Sequence, residues 1–119
     1  RAYVAGAAQE PLAPTTLDAL VAPWTGPSGK AAFYRQIAQA DEAHTAEVEP
    51  LYPTLSLPTL IAWGTSDAWI PPDRAHRLHD LVPGSRVELL EGAGHLVHLD
   101  RPEALLGVLR AWLGEVTRE

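Results

Sequence analysis

The chain contains no cysteine, so disulfides are excluded and thiol chemistry offers no clue to the redox compartment. It lacks a basic balance as well: 9 Lys and Arg stand against 15 Asp and Glu, and the net charge of −6 gives no electrostatic footprint for nucleic acid. No apolar run approaches the length of a membrane span, and no charged, apolar, small-residue series marks a signal peptide. These absences point to a soluble chain with neither nucleic acid nor membrane as partner. The expected location is the cytoplasm, with any targeting signal belonging upstream of Arg1. There is no internal repeat and no low-complexity tract. What is present is a globular composition, 46% apolar and 20% charged, which separates the chain from disordered sequences. At 119 residues it is one domain's length at most.

The organising stretch runs from Pro58 to Pro102. Leu60, Ile61, Ala62 and Trp63 form a continuous apolar run between Pro58 and Gly64, the pattern of a parallel strand covered on both faces. Asp67 then sits just beyond the carboxyl end of that strand. Arg86 to Leu90 reads as a second strand, followed by a glycine-flanked turn, Gly92-Ala93-Gly94, that presents His95. Between the two, Pro71 to Val82 carries apolar residues at 75, 78, 81 and 82, with prolines confined to its start, and is closed by Pro83-Gly84. Strand, helix, strand at this length is a right-handed parallel crossover, so both carboxyl ends reach one edge of the sheet. Topology therefore places Asp67 beside His95, at the edge where open α/β sheets bind ligands.

The segment Pro58-Thr59-Leu60-Ile61-Ala62-Trp63-Gly64-Thr65-Ser66-Asp67-Ala68-Trp69-Ile70-Pro71, with Glu91-Gly92-Ala93-Gly94-His95-Leu96-Val97-His98-Leu99-Asp100-Arg101-Pro102-Glu103 after it, closely resembles the carboxyl-terminal part of α/β-hydrolases. The resemblance covers Leu55 to the end. It implies an α/β fold, here the last strands and helices of a parallel sheet, with Asp67 and His95 as acid and base of a nucleophile, acid, base triad. Histidine suits the base because its unperturbed pKa lies near neutrality, and an aspartate on the other ring nitrogen fixes its tautomer and stabilises the imidazolium. No cofactor or metal is implied.

The triad's third member is not found here. The family's nucleophile elbow is Gly-x-Ser-x-Gly between strand and helix. Gly26-Pro27-Ser28-Gly29-Lys30 lacks the last glycine and follows no strand, so Ser28 is rejected. Ser66 belongs to the acid's turn, and Ser56 and Ser85 to strand entrances. The nucleophile and oxyanion-hole donors are accordingly expected upstream of Arg1, on the amino-terminal half of the same hydrolase or a separate chain. The absence of methionine and of any strand before residue 59 supports a fragment whose missing half holds most of the sheet. Alone, the chain is expected to be inactive. With a Ser nucleophile the assembled enzyme would hydrolyse an ester, amide or C–C bond in a small-molecule substrate. With an Asp nucleophile it would be a haloalkane dehalogenase or epoxide hydrolase. A non-catalytic ligand-binding protein is the third reading, because fold does not imply function.

Residues 1–54 differ from the rest. Prolines at 11, 14, 23, 27, 50 and 53 punctuate short helical pieces. Thr15 or Thr16 is expected to cap a helix through Val21, Trp24 to Gly29 to form a loop, Lys30 to about Ala40 a helix with Phe33 and Ile37 on one face, and Asp41 to Glu49 a further helix. By the resemblance, 1–54 is a helical cap-like segment and 55–119 the carboxyl-terminal part of the core; the alternative is that these helices simply cover the sheet. Trp24, Phe33 and Tyr34 are left unassigned, since aromatics at helical spacing are more often core. Trp69, Ile70, Leu96 and Val97 flank the acid and base; Trp69, Leu96 and Val97 are candidates to face substrate, with packing the alternative. The pairs His95/His98 and His76/His79 lack the ligand set of a closed metal site. Asp100 is expected to cap a last helix, whose Leu105, Leu109, Trp112, Leu113 and Val116 face the sheet.

Overall fold

The computed structural model describes residues 1–118. Strand β1 (Leu60–Gly64) pairs in parallel with β2 (Arg86–Leu90), Leu60 opposite Arg86 and Gly64 opposite Leu90. Because the two strands end in register, the chain leaves both at one edge. Helix α5 (Asp73–Leu81) makes the crossover, with Pro72 at its N-cap and Asp73 in its first turn, where a carboxylate favours the helix dipole. It stops because Pro83 forces the preceding Val82 into extended backbone, φ −110° and ψ 98°. Ala75 and Val82 are buried against the sheet, with Leu78 and Leu81 half-buried.

The sheet is less covered than a continuous apolar run predicts. Ile61 and Leu90 are buried, whereas Leu60, Ala62 and Trp63 are half-buried and Leu89 is 41% exposed. Helix α5 packs on both strands and α7 (Pro102–Val116) on β2, and neither shields Leu89. The buried apolar set is mostly small or branched residues, and among the described residues no large side chain is completely enclosed. The radius of gyration is 16.8 Å, against about 13.5 Å for a compact chain of this length.

Residues 1–54 contain no strand. They form α1 (Ala2–Ala5), α2 (Pro14–Val21), a 3₁₀ turn (Ala22–Trp24), α3 (Pro27–Ala38), α4 (Ala43–Ala46) and a second 3₁₀ segment (Glu49–Thr54). The threonine cap is not made. Pro14 occupies the first helical position and Ala13 the N-cap, so Thr15 and Thr16 fall inside α2. Pro27 does the same for α3, which begins three residues before Lys30 and shortens the expected loop. In both cases proline's fixed φ and missing N–H suit it to the first turn. Phe33 turns inward, while Ile37 is 45% exposed. The expected helix from Asp41 is reduced to α4, whose entry is held by Asp41 accepting from the Ala43 N–H at 2.9 Å.

The carboxyl-terminal end also differs in detail. A short helix, α6 (Val97–Asp100), follows His95, and α7 begins with Arg101 at its N-cap. Asp100 therefore does not cap α7; its carboxylate is engaged elsewhere. Leu105, Leu109, Trp112 and Val116 are half-buried, but Leu113 is 49% exposed. At 100° per residue Leu113 lies about 80° around the helix from Leu105, whereas the others fall within about 40° of it. Arg86 braces this packing, joining Glu88 at 2.6 Å and Glu115 at 2.9 Å. Those two carboxylates hold its guanidinium pKa above the ordinary value. No helix among the described residues is long and apolar enough to cross a membrane.

Candidate active site

Two turns leave the sheet edge together. The ladder continues past the strands as Thr65 N–H donates to the Leu90 carbonyl at 3.1 Å and Ser66 N–H to the Ala93 carbonyl at 2.9 Å. The Thr65 hydroxyl accepts from the Gly92 N–H at 2.9 Å. Gly64 is required by this closeness: a Cβ there would stand 2.3 Å from the Ala93 carbonyl oxygen and 2.4 Å from that of Gly94. Gly92 supplies the other special conformation, a φ of +65° that side chains rarely adopt. Of the two glycines flanking Ala93, Gly92 alone has this left-handed backbone.

The two turns bring Asp67 and His95 into contact across 28 residues, with Nδ1 of His95 2.9 Å from Oδ2 of Asp67. The second carboxylate oxygen accepts from the N–H groups of Trp69 and Ile70, each at 2.9 Å. Burial pushes the Asp67 carboxyl pKa up, but the Ile70 N–H, the His95 ring and the Trp69 N–H outweigh it and hold it below the ordinary value of 3.8. An ionised carboxylate only accepts, so Nδ1 of His95 carries a proton, and in the neutral ring Nε2 is the acceptor. Asp67's side chain is 4% exposed and that of His95 33%. The histidine opens onto a cleft of about 160 Å³, also lined by Ala62, Trp63, Gly64, Asp67 and Val97.

The remaining candidates are placed differently from one another. Val97 lines the cleft. Trp69 lies tilted against the His95 ring, and its indole also meets Tyr3. Leu96 is half-buried and its N–H donates to the Ala7 carbonyl at 3.1 Å. Trp24, Phe33 and Tyr34, with Tyr3 and Val4, line a second cavity of about 440 Å³. Edge contacts Tyr3–Phe33 and Phe33–Trp24 connect that cavity to the Trp69 ring. Ser28 is within α3, Ser85 is bonded to Nδ1 of His79 at 2.9 Å, and Ser56 lines a groove with Trp112.

Three residues with a part in this site are not legible in the sequence. Tyr3 reaches it only because α1 folds back over the turn that carries Asp67 and Trp69. The Thr65 hydroxyl lies in a turn whose residue types allow many partners. Asp100 bonds to Gly94 N–H and to the backbone of residues 9 and 10, and no local pattern announces partners so remote in sequence.

The parallel strands and crossover helix are those of an α/β-hydrolase core. The description of the alpha/beta hydrolase family matches residues 1–108, and the chain belongs to that family. The match reaches further toward the amino terminus than the motifs alone, taking in the helical segment. An alpha/beta hydrolase fold protein from Burkholderia ambifaria superposes with a TM-score of 0.85 and 38% identity, over 91% of this chain and 40% of that one. An uncharacterized protein of Mycobacterium tuberculosis is 32% identical over 90 residues, 73% of this chain and 26% of its own length. The pimeloyl-(acyl-carrier protein) methyl ester esterase of Neisseria meningitidis is 32% identical over 79 residues, 66% of this chain and 25% of its own. The chain thus spans about a quarter of the length of these curated relatives.

Proposed function

We propose that this chain supplies the acid, Asp67, and the base, His95, of a hydrolase that cleaves a carboxylic ester, with a serine nucleophile from a segment outside these 119 residues. The observation that carries the reading is the 2.9 Å contact between Nδ1 of His95 and Oδ2 of Asp67, with the other carboxylate oxygen fastened by two backbone N–H groups. This leaves Nε2 free to take the serine proton as the hydroxyl attacks the ester carbonyl. The imidazolium, stabilised by Asp67, then returns that proton to the departing alkoxide. Water repeats the sequence on the acyl-enzyme, giving the carboxylic acid and free serine. The esterase name of the Neisseria relative supports an ester as substrate.

A nucleophile from elsewhere is supported by the cleft itself, whose lining side chains besides Asp67 and His95 are Ala62, Trp63, Gly64 and Val97, none with a hydroxyl or thiol. The thin core and exposed Leu89 support further sheet beside these strands. Residues 1–54 are read as the end of a helical cap, and 55–119 as core. The aromatic cavity bounded by Tyr3, Trp24, Phe33 and Tyr34 is the feature that favours this division.

The test is made on the full-length protein. A fluorophosphonate should label one serine, and His95→Ala should abolish both labelling and hydrolysis of short p-nitrophenyl esters while the protein stays folded. Retained ester hydrolysis in folded His95→Ala would overturn the reading. The isolated 119-residue chain should show no turnover above free imidazole.

A further inference from the structure

The strongest unassigned feature is the carboxylate of Asp100. Its Oδ2 accepts from the Gly94 N–H at 2.8 Å and the Gln9 N–H at 3.0 Å, and its Oδ1 lies 3.1 Å from Gln9 N and 3.3 Å from Glu10 N. Gly94 is the residue immediately before His95. The residue immediately after, Leu96, donates its N–H to the Ala7 carbonyl at 3.1 Å. Both residues flanking the histidine are thus tied through their N–H groups to residues 7–10, Leu96 directly and Gly94 through Asp100. Asp100 also closes the turn on itself, its own N–H donating to the Leu96 carbonyl at 3.0 Å.

The same amino-terminal segment approaches His95 from a second side. Helix α1 carries Tyr3, whose ring lies 4.5 Å from that of Trp69, which in turn lies 5.0 Å from the imidazole. Residues 1–10 therefore reach the histidine's immediate neighbours, the backbone of Gly94 and Leu96 and the ring of Trp69. A neutral residue at position 100 would lose the charge-assisted part of three backbone hydrogen bonds, and that loss would fall on the loop carrying His95.

We propose that Asp100 is a positioning residue for His95: it fastens the base's loop to residues 7–10 and thereby sets the distance between the imidazole and Asp67. The inference rests on the catalytic reading of His95 given above. It assigns Asp100 no contact with substrate.

The test uses the full-length protein and Asp100→Asn, which keeps size but replaces one acceptor oxygen with a donor facing N–H groups. The expected result is a fall in kcat of about tenfold to a hundredfold, the scale of a small misplacement, with KM within about twofold. The low-field NMR resonance of the His95 Nδ1 proton should shift or broaden in parallel. Should Asp100→Asn fail to fold, Gln9→Pro removes one donor from the exposed side of the contact and should move the same resonance and kcat in the same direction. An unchanged resonance and unchanged kcat per folded molecule, even with a lower Tm, would overturn the proposal by making Asp100 merely structural. His95→Ala in the same series separates the two ideas: if it retains turnover, the catalytic reading fails, while the wild-type and Asp100→Asn resonances still report whether Asp100 sets the ring.

Discussion

The indole of Trp69 lies against the imidazole of His95, ring centroids 5.0 Å apart and planes inclined by 32°. The same residue's N–H donates to Asp67 at 2.9 Å, so one residue touches the carboxylate with its backbone and the imidazole with its ring. Replacing the side chain leaves the backbone bond in place and isolates the ring contact. Aromatic contacts of this kind contribute about 0.5–1.5 kcal/mol beyond area burial. Under the proposed role, Trp69→Leu should lower kcat up to about tenfold, and Trp69→Phe should retain most of the activity. Steady-state kinetics of the full-length protein decide this. Equal losses in both variants would contradict a role for the ring contact.

Asp67→Asn makes a sharper test. The N–H groups of Trp69 and Ile70 would keep the amide oxygen where Oδ1 now sits, leaving the amide NH₂ facing Nδ1 of His95. That donor demands an unprotonated Nδ1, so the ring's proton moves to Nε2, which can no longer accept one. The expected loss in kcat is on the order of 10⁴, the scale of a wrong-tautomer triad. A loss below tenfold would remove Asp67 from the role of acid.

The same carboxylate couples stability to acid. Its folded pKa lies below 3.8, because the Ile70 N–H, the His95 ring and the Trp69 N–H overcome the upward push of burial. A depressed folded pKa contributes stability that is complete above the unfolded value and lost as pH falls through the folded one. The stability difference between wild type and Asp67→Asn should therefore be flat above about pH 5 and shrink below about pH 4. Urea denaturation across that range measures it. A difference that persists unchanged to about pH 2 would place the cause elsewhere.

Gly64→Ala should destabilise without touching a reactive group. The added Cβ meets the Ala93 and Gly94 carbonyl oxygens at 2.3 and 2.4 Å, both backbone atoms of the turn leading to His95. Overpacking of this kind costs about 1–3 kcal/mol. Chemical denaturation should show that loss, and the displaced turn should reduce turnover more than the stability change explains. An alanine variant of wild-type stability would mean that the two turns separate easily.

The sequence by itself determined the parallel strand, helix, strand unit and the meeting of Asp67 with His95. Those features follow from short-range causes: a continuous apolar run, prolines at the start of α5, Val82 forced extended by Pro83, glycines at the two turns. Once a parallel crossover is specified, both strand ends lie at one edge, and residues 28 apart become neighbours without further information. The tertiary structure alone decided what those neighbours rest on. Asp100, whose spacing before Glu103 suggests a helix cap, instead bonds to Gln9 across 91 residues. Trp69, equally suited to substrate or packing by its position, is claimed by Tyr3 and His95. Such contacts depend on how α1 folds back onto the sheet edge, and a side chain with several satisfiable partners nearby carries no local mark of the distant one it takes.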